Sequence, residues 1–243
     1  MRMFGLIGFP LSHSFSKRYF SEKFEREGLS DCIFENFPIA SVEEIKDLLH
    51  HHPNLIGLSV TIPHKENIIS LLDDVSETVM KIKACNCIKI INGKLSGYNT
   101  DVIGFEKSFK KVLTPELRTA LILGTGGASK AVKYVLEKLS IKYQFVSRVP
   151  ALKNLFYDQL TPGLIAENDI IINTTPLGMY PAVLQAPDIP YEAINDHHLL
   201  YDLVYNPTKT LFLKKGEEKG ARIKNGLEML ELQAEENWKI WNS

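Results

Sequence analysis

The chain has 243 residues, with 28 lysines and arginines against 29 aspartates and glutamates, for a formal net charge of -1. That balance lacks the basic excess of a nucleic-acid-binding surface. A chain with 44% hydrophobic and 23% charged residues is globular in composition rather than disordered, and its length suits one large domain or two of modest size.

From the N-terminus, Phe4 to Gly8 reads as a short buried strand ended by Pro10, an apolar run too short for a signal peptide. A helix is expected from about Ser16, with Tyr19, Phe20 and Phe24 at helical spacing. Ile33 to Phe37 is strand-like, and Ser41 with Glu44 three residues on forms a capping box that opens a helix. The His50-His51-His52 run before Pro53 reads as a solvated turn, with no partner at metal-ligand spacing. Leu55 to Ile62 is a second buried strand, stopped by Pro63. Ala84 to Ile91 and Lys94 to Tyr98 form a hairpin on the Asn92-Gly93 turn.

Beyond Asp101 the pattern changes. Ile103 to Val112 looks helical, and Thr119 to Leu123 is a continuous apolar strand that runs into glycines. The next helix puts Ala131, Val132, Val135, Leu136 and Leu139 on one face. Tyr143 to Val146, Asp169 to Asn173 and Leu199 to Val204 are further strands, the last two without alternation, as in parallel sheets. Thr208 to Lys219 and Leu227 to Trp241 close the chain as helices. Alternating strands and helices of this kind imply an α/β fold, with a domain boundary near residues 102–118.

No apolar run approaches the roughly 18–20 residues that span a bilayer, so no membrane partner is expected. The three cysteines, Cys32, Cys85 and Cys87, are too few and odd in number for a disulfide framework. A reducing cytoplasm is therefore the expected compartment. The one-residue gap between Cys85 and Cys87 is unlike structural zinc pairs, and no metal is expected.

Two constellations carry chemistry. The first is Gly124-Thr125-Gly126-Gly127-Ala128-Ser129, between a strand and a helix. In a G-x-G-x-x-G reading, Gly124 makes the tight turn. Gly126 lets the backbone approach a pyrophosphate seated on the helix N-terminus, and Ser129 takes the third glycine position. At the end of the following strand, an NAD site places an acid to hold the ribose 2′-OH. This chain has Ser147-Arg148-Val149 there, with Lys153 beyond, which suits a 2′-phosphate and favours NADP over NAD. The second constellation follows the strands of the first half: Ser12-His13-Ser14-Phe15-Ser16, Thr61-Ile62-Pro63-His64-Lys65, Asn86, and Asn99-Thr100-Asp101. Ligands of α/β sheets gather outside the carboxyl ends of strands. Hydroxyls and amides with one lysine and one aspartate suit a small polyhydroxylated substrate. Taken singly, each has a plain structural alternative: Ser14, Ser16 or Asp101 as an N-cap, Thr61 as a strand hydroxyl, Lys65 as a solvated helix residue.

Together these segments resemble the shikimate dehydrogenase family over nearly the whole chain. The resemblance rests on Gly8 to Ser16, Ser59 to Lys65, Asn99-Thr100-Asp101 with Gly104-Phe105, and Gly124 to Ser129. It continues through Asn173 to Met179, Tyr201 to Pro207, and Gly226 to Leu230 with Gln233. It implies two α/β domains. Residues 1–102 plus 226–243 would bind substrate and carry catalysis, with the last helix returning to that domain, and residues 103–225 would form a Rossmann-like NADP domain. The implied reaction is reversible NADPH-dependent reduction of 3-dehydroshikimate to shikimate, in the cytoplasm, by a monomer or homodimer. By the same resemblance Lys65 and Asp101 are the catalytic pair. Ser14, Ser16, Thr61, Asn86, Asp101, Tyr205 and Gln233 would bind shikimate. Gly124, Thr125, Gly126, Gly127, Ala128, Ser147, Arg148, Leu203, Gly226 and Glu77 would contact the cofactor. Alternatives of the same fold are a quinate/shikimate dehydrogenase, a folate-linked dehydrogenase and a ligand-sensing module without turnover. Both Lys65 and Asp101 are present, which a sensor would not need, and the folate-linked option gives no reason for Ser14, Ser16 and Gln233 together. This chain departs from the family at Lys17 (usually proline), at Ser59 (usually asparagine), and at Ser147-Arg148-Val149 (usually Asn-Arg-Thr). It is also shorter between Val149 and Asp169, where a full helix is not expected.

Overall fold

The computed structural model describes residues 1–11, 15–148 and 154–243, and the chain divides into two compact units. Unit 1 comprises residues 1–100 and 234–243, and unit 2 residues 101–233. Residues 226–233, expected with the first domain, therefore group with unit 2.

Unit 1 is built on a six-stranded sheet, in the order β2 (Cys32–Pro38), β1 (Arg2–Gly8), β3 (Leu55–Val60), β5 (Cys87–Ile91), β6 (Lys94–Tyr98), β4 (Asp74–Val75). β1 runs parallel to β2 and β3, and β5 is antiparallel to both β3 and β6. The sheet is therefore mixed. The β5–β6 hairpin turns on Asn92 and Gly93, with φ of 50° and 77°. A two-residue type I′ loop requires positive φ at both positions. Helix α1 (Phe15–Arg26) buries Phe20 and Phe24, and Phe20 stacks on Phe34 of β2 at 4.8 Å. A 3-10 turn, Val42–Glu44, runs into α2 (Ile45–His51), and the Glu44 carboxylate accepts from the Ser41 N–H at 2.8 Å. The third helix of this unit is the short α3 (Glu77–Ile82).

Unit 2 contains an all-parallel six-stranded sheet, ordered β12 (Arg222–Lys224), β11 (Leu199–Asp202), β10 (Ile170–Asn173), β7 (Thr119–Leu123), β8 (Lys142–Ser147), β9 (Leu155–Phe156). Read from β9, that is the doubly wound order 3-2-1-4-5-6 of a Rossmann-like fold. The topological switch falls between β7 and β10. β7, β10 and β11 carry almost unbroken apolar residues, as strands covered on both faces must. Helix α5 (Gly127–Lys138) buries the stripe Ala131, Val132, Val135 and Leu136. Helix α4 (Asp101–Lys110) packs beside it, and Glu106 ties the pair by accepting from Lys110 at 2.6 Å and Lys138 at 2.8 Å.

Several element ends differ from the sequence expectation, each for a local reason. β11 stops at Asp202, because its carboxylate takes the Val204 N–H and turns the chain. Helix α7 (Leu211–Glu217) begins late, because the Thr210 hydroxyl caps it by accepting from Leu213 N. Asp169 lies outside β10, its carboxylate accepting from the N–H groups of Arg118 and Thr119. Between residues 154 and 169 the two-residue β9, a 3-10 turn and the five-residue α6 (Pro162–Ala166) occur, in keeping with the short segment.

The C-terminal helix α8 (Leu227–Asn242) belongs to unit 2 up to Gln233 and to unit 1 from Ala234. In unit 1 its indoles join the aromatic cluster of Phe4, Phe20, Phe24 and Phe34. Among the described residues, no helix is long and apolar enough to cross a membrane.

Candidate active site

In unit 1 the expected substrate residues collect after the carboxyl ends of β1 and β3. Ser14 lies outside the described residues. Ser16 is buried in the first turn of α1. Thr61 donates its N–H to Ile7 O at 2.9 Å, and its carbonyl accepts from His64 N at 2.9 Å, so the turn leading to Lys65 is fastened to β1. A Cβ on Gly8 would lie 2.4 Å from Thr61 Cγ2, which is why glycine ends β1. Lys65 is half-buried, and its carbonyl accepts from Cys85 N at 2.7 Å, pinning the turn to the segment that leads into β5.

Asn86 is buried and engages both the side chain and the backbone of Thr100: Nδ2 lies 3.0 Å from Oγ1, and Oδ1 accepts from the backbone N–H at 2.6 Å. The Thr100 hydroxyl donates to Asn237 Oδ1 at 2.6 Å, and Asn237 Nδ2 donates to Ser59 Oγ at 3.0 Å. This chain of amides and hydroxyls sets the backbone entering Asp101. Ser59 stands where the family usually has asparagine, and Asn237 supplies an amide to it from α8. Asn237 escaped the sequence reading. Its signal was its place four residues after Gln233, on the same helical face.

Asp101 is buried as the first residue of α4 rather than a cap before it. One turn on, a Cβ at Gly104 would lie 2.4 Å from Met229 O and 3.1 Å from Gln233 Cβ. That close helix approach sets buried Gln233 against Gly104, in the helix that Asp101 begins.

The rest of unit 2's candidates gather at the carboxyl ends of its strands. Gly124 has φ of +104°, and a Cβ there would lie 2.8 Å from Thr174 Oγ1 and 2.9 Å from Thr175 Cγ2. Both backbone conformation and space require glycine at this turn. Gly126 caps α5, and a Cβ on it would meet nothing within 4 Å. The loop is therefore open to an approaching group, and the cap residue brings no side-chain acceptor to the first helical N–H groups. With Thr125, Gly127 and Ala128, this cradle fits a dinucleotide pyrophosphate. The Ser129 hydroxyl donates back to Gly126 O at 2.6 Å and holds the turn. Ser147 is buried at the end of β8, and Arg148 is exposed beside it. Val149 and Lys153 lie outside the described residues.

Leu203 donates its N–H to Asn173 O at 2.9 Å. A Cβ on Gly226 would fall 2.1 Å from Leu203 O, so these two cofactor candidates touch backbone to backbone. Tyr205 is half-buried in the same loop. Glu77 is not among the residues unit 2 gathers: it starts α3 in unit 1, largely exposed, and pairs with Lys81 at 2.5 Å. Hydrogen bonding from Lys81 draws its carboxyl below the usual range.

Another residue the sequence reading passed over is Asp202, fully buried and bonded to Thr210, Val204 and Asn173. Burial pushes its carboxyl up to about 6, against the opposing pull of those donors. No group of three or more His, Cys, Asp or Glu among the described residues could hold a metal.

Residues 6–88 match the shikimate dehydrogenase substrate binding domain. The NADP(+) shikimate dehydrogenase of Caldicellulosiruptor saccharolyticus is 36% identical, across 99% of this chain and 92% of its own length. The crystal structure of shikimate dehydrogenase from Aquifex aeolicus aligns with a TM-score of 0.87 at 38% identity, covering 100% of this chain and 92% of that one. Shikimate 5-dehydrogenase from Thermus thermophilus, in complex with NADP(H) and shikimate, aligns with a TM-score of 0.87 at 28% identity, covering 99% and 93%. With whole-length similarity in sequence and in fold, this chain belongs to the shikimate dehydrogenase family.

Proposed function

We propose that this chain is an NADP-dependent oxidoreductase that interconverts 3-dehydroshikimate and shikimate on the route to chorismate and aromatic amino acids, and that it works in the cytoplasm. The observation that carries the reading is similarity over 99% of the chain to a relative named for this activity, in a sequence that retains Lys65 and Asp101. Residues 1–102 plus 226–243 would form the substrate and catalytic domain, and 103–225 the NADP domain.

NADPH, when bound, supplies the hydride. Reduction of a ketone develops negative charge on its oxygen, and that oxygen must end protonated. Lys65 donates this proton, and Asp101 holds the ammonium in place. The lysine's positive charge also stabilises the developing alkoxide. Ser14 and Ser16 bind the substrate carboxylate with neutral donors, assisted by Tyr205. Thr61, Asn86 and Gln233 fix the ring hydroxyls so that one carbon is offered for hydride transfer. Gly124 to Ala128 would seat the pyrophosphate and Ser147 with Arg148 the 2′-phosphate, Leu203 and Gly226 would contact the cofactor, and Glu77 would complete the cofactor set.

Initial rates with shikimate and quinate, each with NADP and NAD, test the reading. Shikimate with NADP should give the highest kcat/KM. A comparable value for quinate would make the enzyme a quinate/shikimate dehydrogenase, and no turnover with any pair would make it a ligand-sensing module.

Arg148 gives a sharper test. It is the cation at the end of β8, where an NAD site would have an acid. A hydrogen bond to a charged group contributes about 1.5–3 kcal/mol. Arg148→Ala should therefore weaken NADP about ten- to a hundredfold and leave NAD nearly unmoved, read by titrating the nucleotides. Equal losses for the two would remove Arg148 from the 2′-phosphate.

A further inference from the structure

Asp202 lies at the last position of β11, opposite Asn173 at the last position of β10. Both are fully buried, at the carboxyl edge of the sheet next to its topological switch. A carboxylate with no exposure is costly unless it is hydrogen-bonded, and here both oxygens are. Oδ1 accepts from Asn173 Nδ2 at 2.9 Å and from Val204 N at 3.0 Å, and Oδ2 accepts from the Thr210 hydroxyl at 2.5 Å.

Each donor opens onto a different loop. Asn173, held by Asp202, turns its own Oδ1 to Thr175, accepting from the hydroxyl at 2.6 Å and the N–H at 3.0 Å. Thr175 and Thr174 form the wall that Gly124 approaches, and the Thr174 hydroxyl donates to Leu123 O at 2.7 Å, fastening that wall to β7. Val204 lies between Leu203 and Tyr205, and its carbonyl accepts from Gly226 N at 3.2 Å. Thr210 caps α7. One side chain thus joins the loop that backs the glycine turn, the loop that meets Gly226, and the helix that follows.

We propose that Asp202 is a positioning residue for NADP: it fixes, through Asn173 and Val204, the two loops that shape the dinucleotide site. It acts through those residues and touches neither cofactor nor substrate. The inference rests on reading unit 2 as the NADP domain, and the experiment separates the two claims.

The full-length chain and three variants, Asp202→Ala, Asp202→Asn and Asn173→Ala, are compared for NADP dissociation constant, KM for NADP, KM for shikimate, kcat and melting temperature. Asp202→Ala strips the acceptor from three buried donors and should raise the NADP dissociation constant and KM about ten- to a hundredfold. KM for shikimate should rise by clearly less than KM for NADP, since Tyr205 adjoins Val204 in the loop that Asp202 holds, and kcat at saturating NADP should change less than about threefold. Asp202→Asn keeps an oxygen at Oδ1 for Asn173 and Val204, and the Thr210 hydroxyl can rotate to accept from the new amide. It should recover most of the affinity. Asn173→Ala cuts the path to Thr175 while sparing the carboxylate, and should reproduce a rise in KM for NADP. It keeps the proposal testable if Asp202→Ala does not fold.

A lowered melting temperature with unchanged KM for NADP in the alanine variants would overturn the proposal, leaving Asp202 a packing residue. Equal rises in KM for NADP and shikimate would overturn it as well. If the unaltered chain fails to bind NADP, the reading of unit 2 falls first, whatever the variants do.

Discussion

Lys65→Met should lower kcat by about 10²–10⁴-fold, the usual contribution of a positioned general acid or base. The lysine is half-buried in the turn after β3, with its backbone held by the Cys85 N–H and the turn held by Thr61 on β1. Methionine keeps an unbranched apolar stem and removes the ammonium, so packing is nearly retained while the proton and the charge are lost. A group that protonates the developing alkoxide contributes in the transition state, so KM for shikimate should move far less than kcat. NADP affinity and melting temperature should stay close to those of the unaltered chain. A solvated lysine without a chemical role would show under about 0.5 kcal/mol in stability and no kinetic change. Near-normal turnover of shikimate by Lys65→Met would end the mechanism proposed here and move the acid–base role to Asp101 alone.

What the sequence made legible follows from how local each signal is. The strands β7, β10 and β11 stand out as unbroken apolar runs because both of their faces are covered, and the glycine turn after β7 identifies itself by its place between strand and helix. The hairpin was readable because Asn92-Gly93 is the sequence form of its turn. In contrast, β4, β9 and β12 have two or three residues each and exist because a neighbouring strand pairs with them. Nothing in Arg222-Ile223-Lys224 announces a strand.

The same distinction holds at the site. Lys65 and Asp101 follow recognisable strand ends and motifs. Asp202 sits inside Leu199-Leu200-Tyr201-Asp202-Leu203-Val204 and passed as one strand residue among six. A charge in so apolar a run does carry a signal, since it demands partners, but those partners are Asn173, on the adjacent strand and 29 residues earlier in the chain, and Thr210, eight residues on. Asn237 was hidden in the same way, because its partners, Thr100 and Ser59, lie far off in the chain.

The C-terminal segment should prove a large contributor to stability. Trp241→Ala is expected to cost about 3–5 kcal/mol, the range for deleting a buried tryptophan, and to lower the melting temperature by roughly 6–20 °C. The indole is 4% exposed and packs at 5.1 Å from the Phe4 ring and 5.3 Å from the Phe20 ring. It also lies against the backbone of β3: a Cβ on Gly57 would fall 2.5 Å from Cδ1. Its Nε1 donates to Ile88 O at 3.0 Å on the neighbouring strand. Trp241→Phe keeps much of the apolar contact and loses that bond, so it should cost less than the alanine change. Gly57→Ala must push the indole away, so it should destabilise unit 1 without touching the tryptophan itself. One turn before Trp241, Asn237 holds Thr100 and Ser59, so loosening the end of α8 also frees the backbone that enters Asp101. For Trp241→Ala, thermal melts should therefore fall together with kcat as temperature rises, while activity well below the melting point is largely kept. If Trp241→Ala melts within a degree or two of the unaltered chain, the end of α8 is not the anchor of unit 1. If it melts as expected and Gly57→Ala does not, the indole stabilises through the aromatic cluster rather than through its seat on β3.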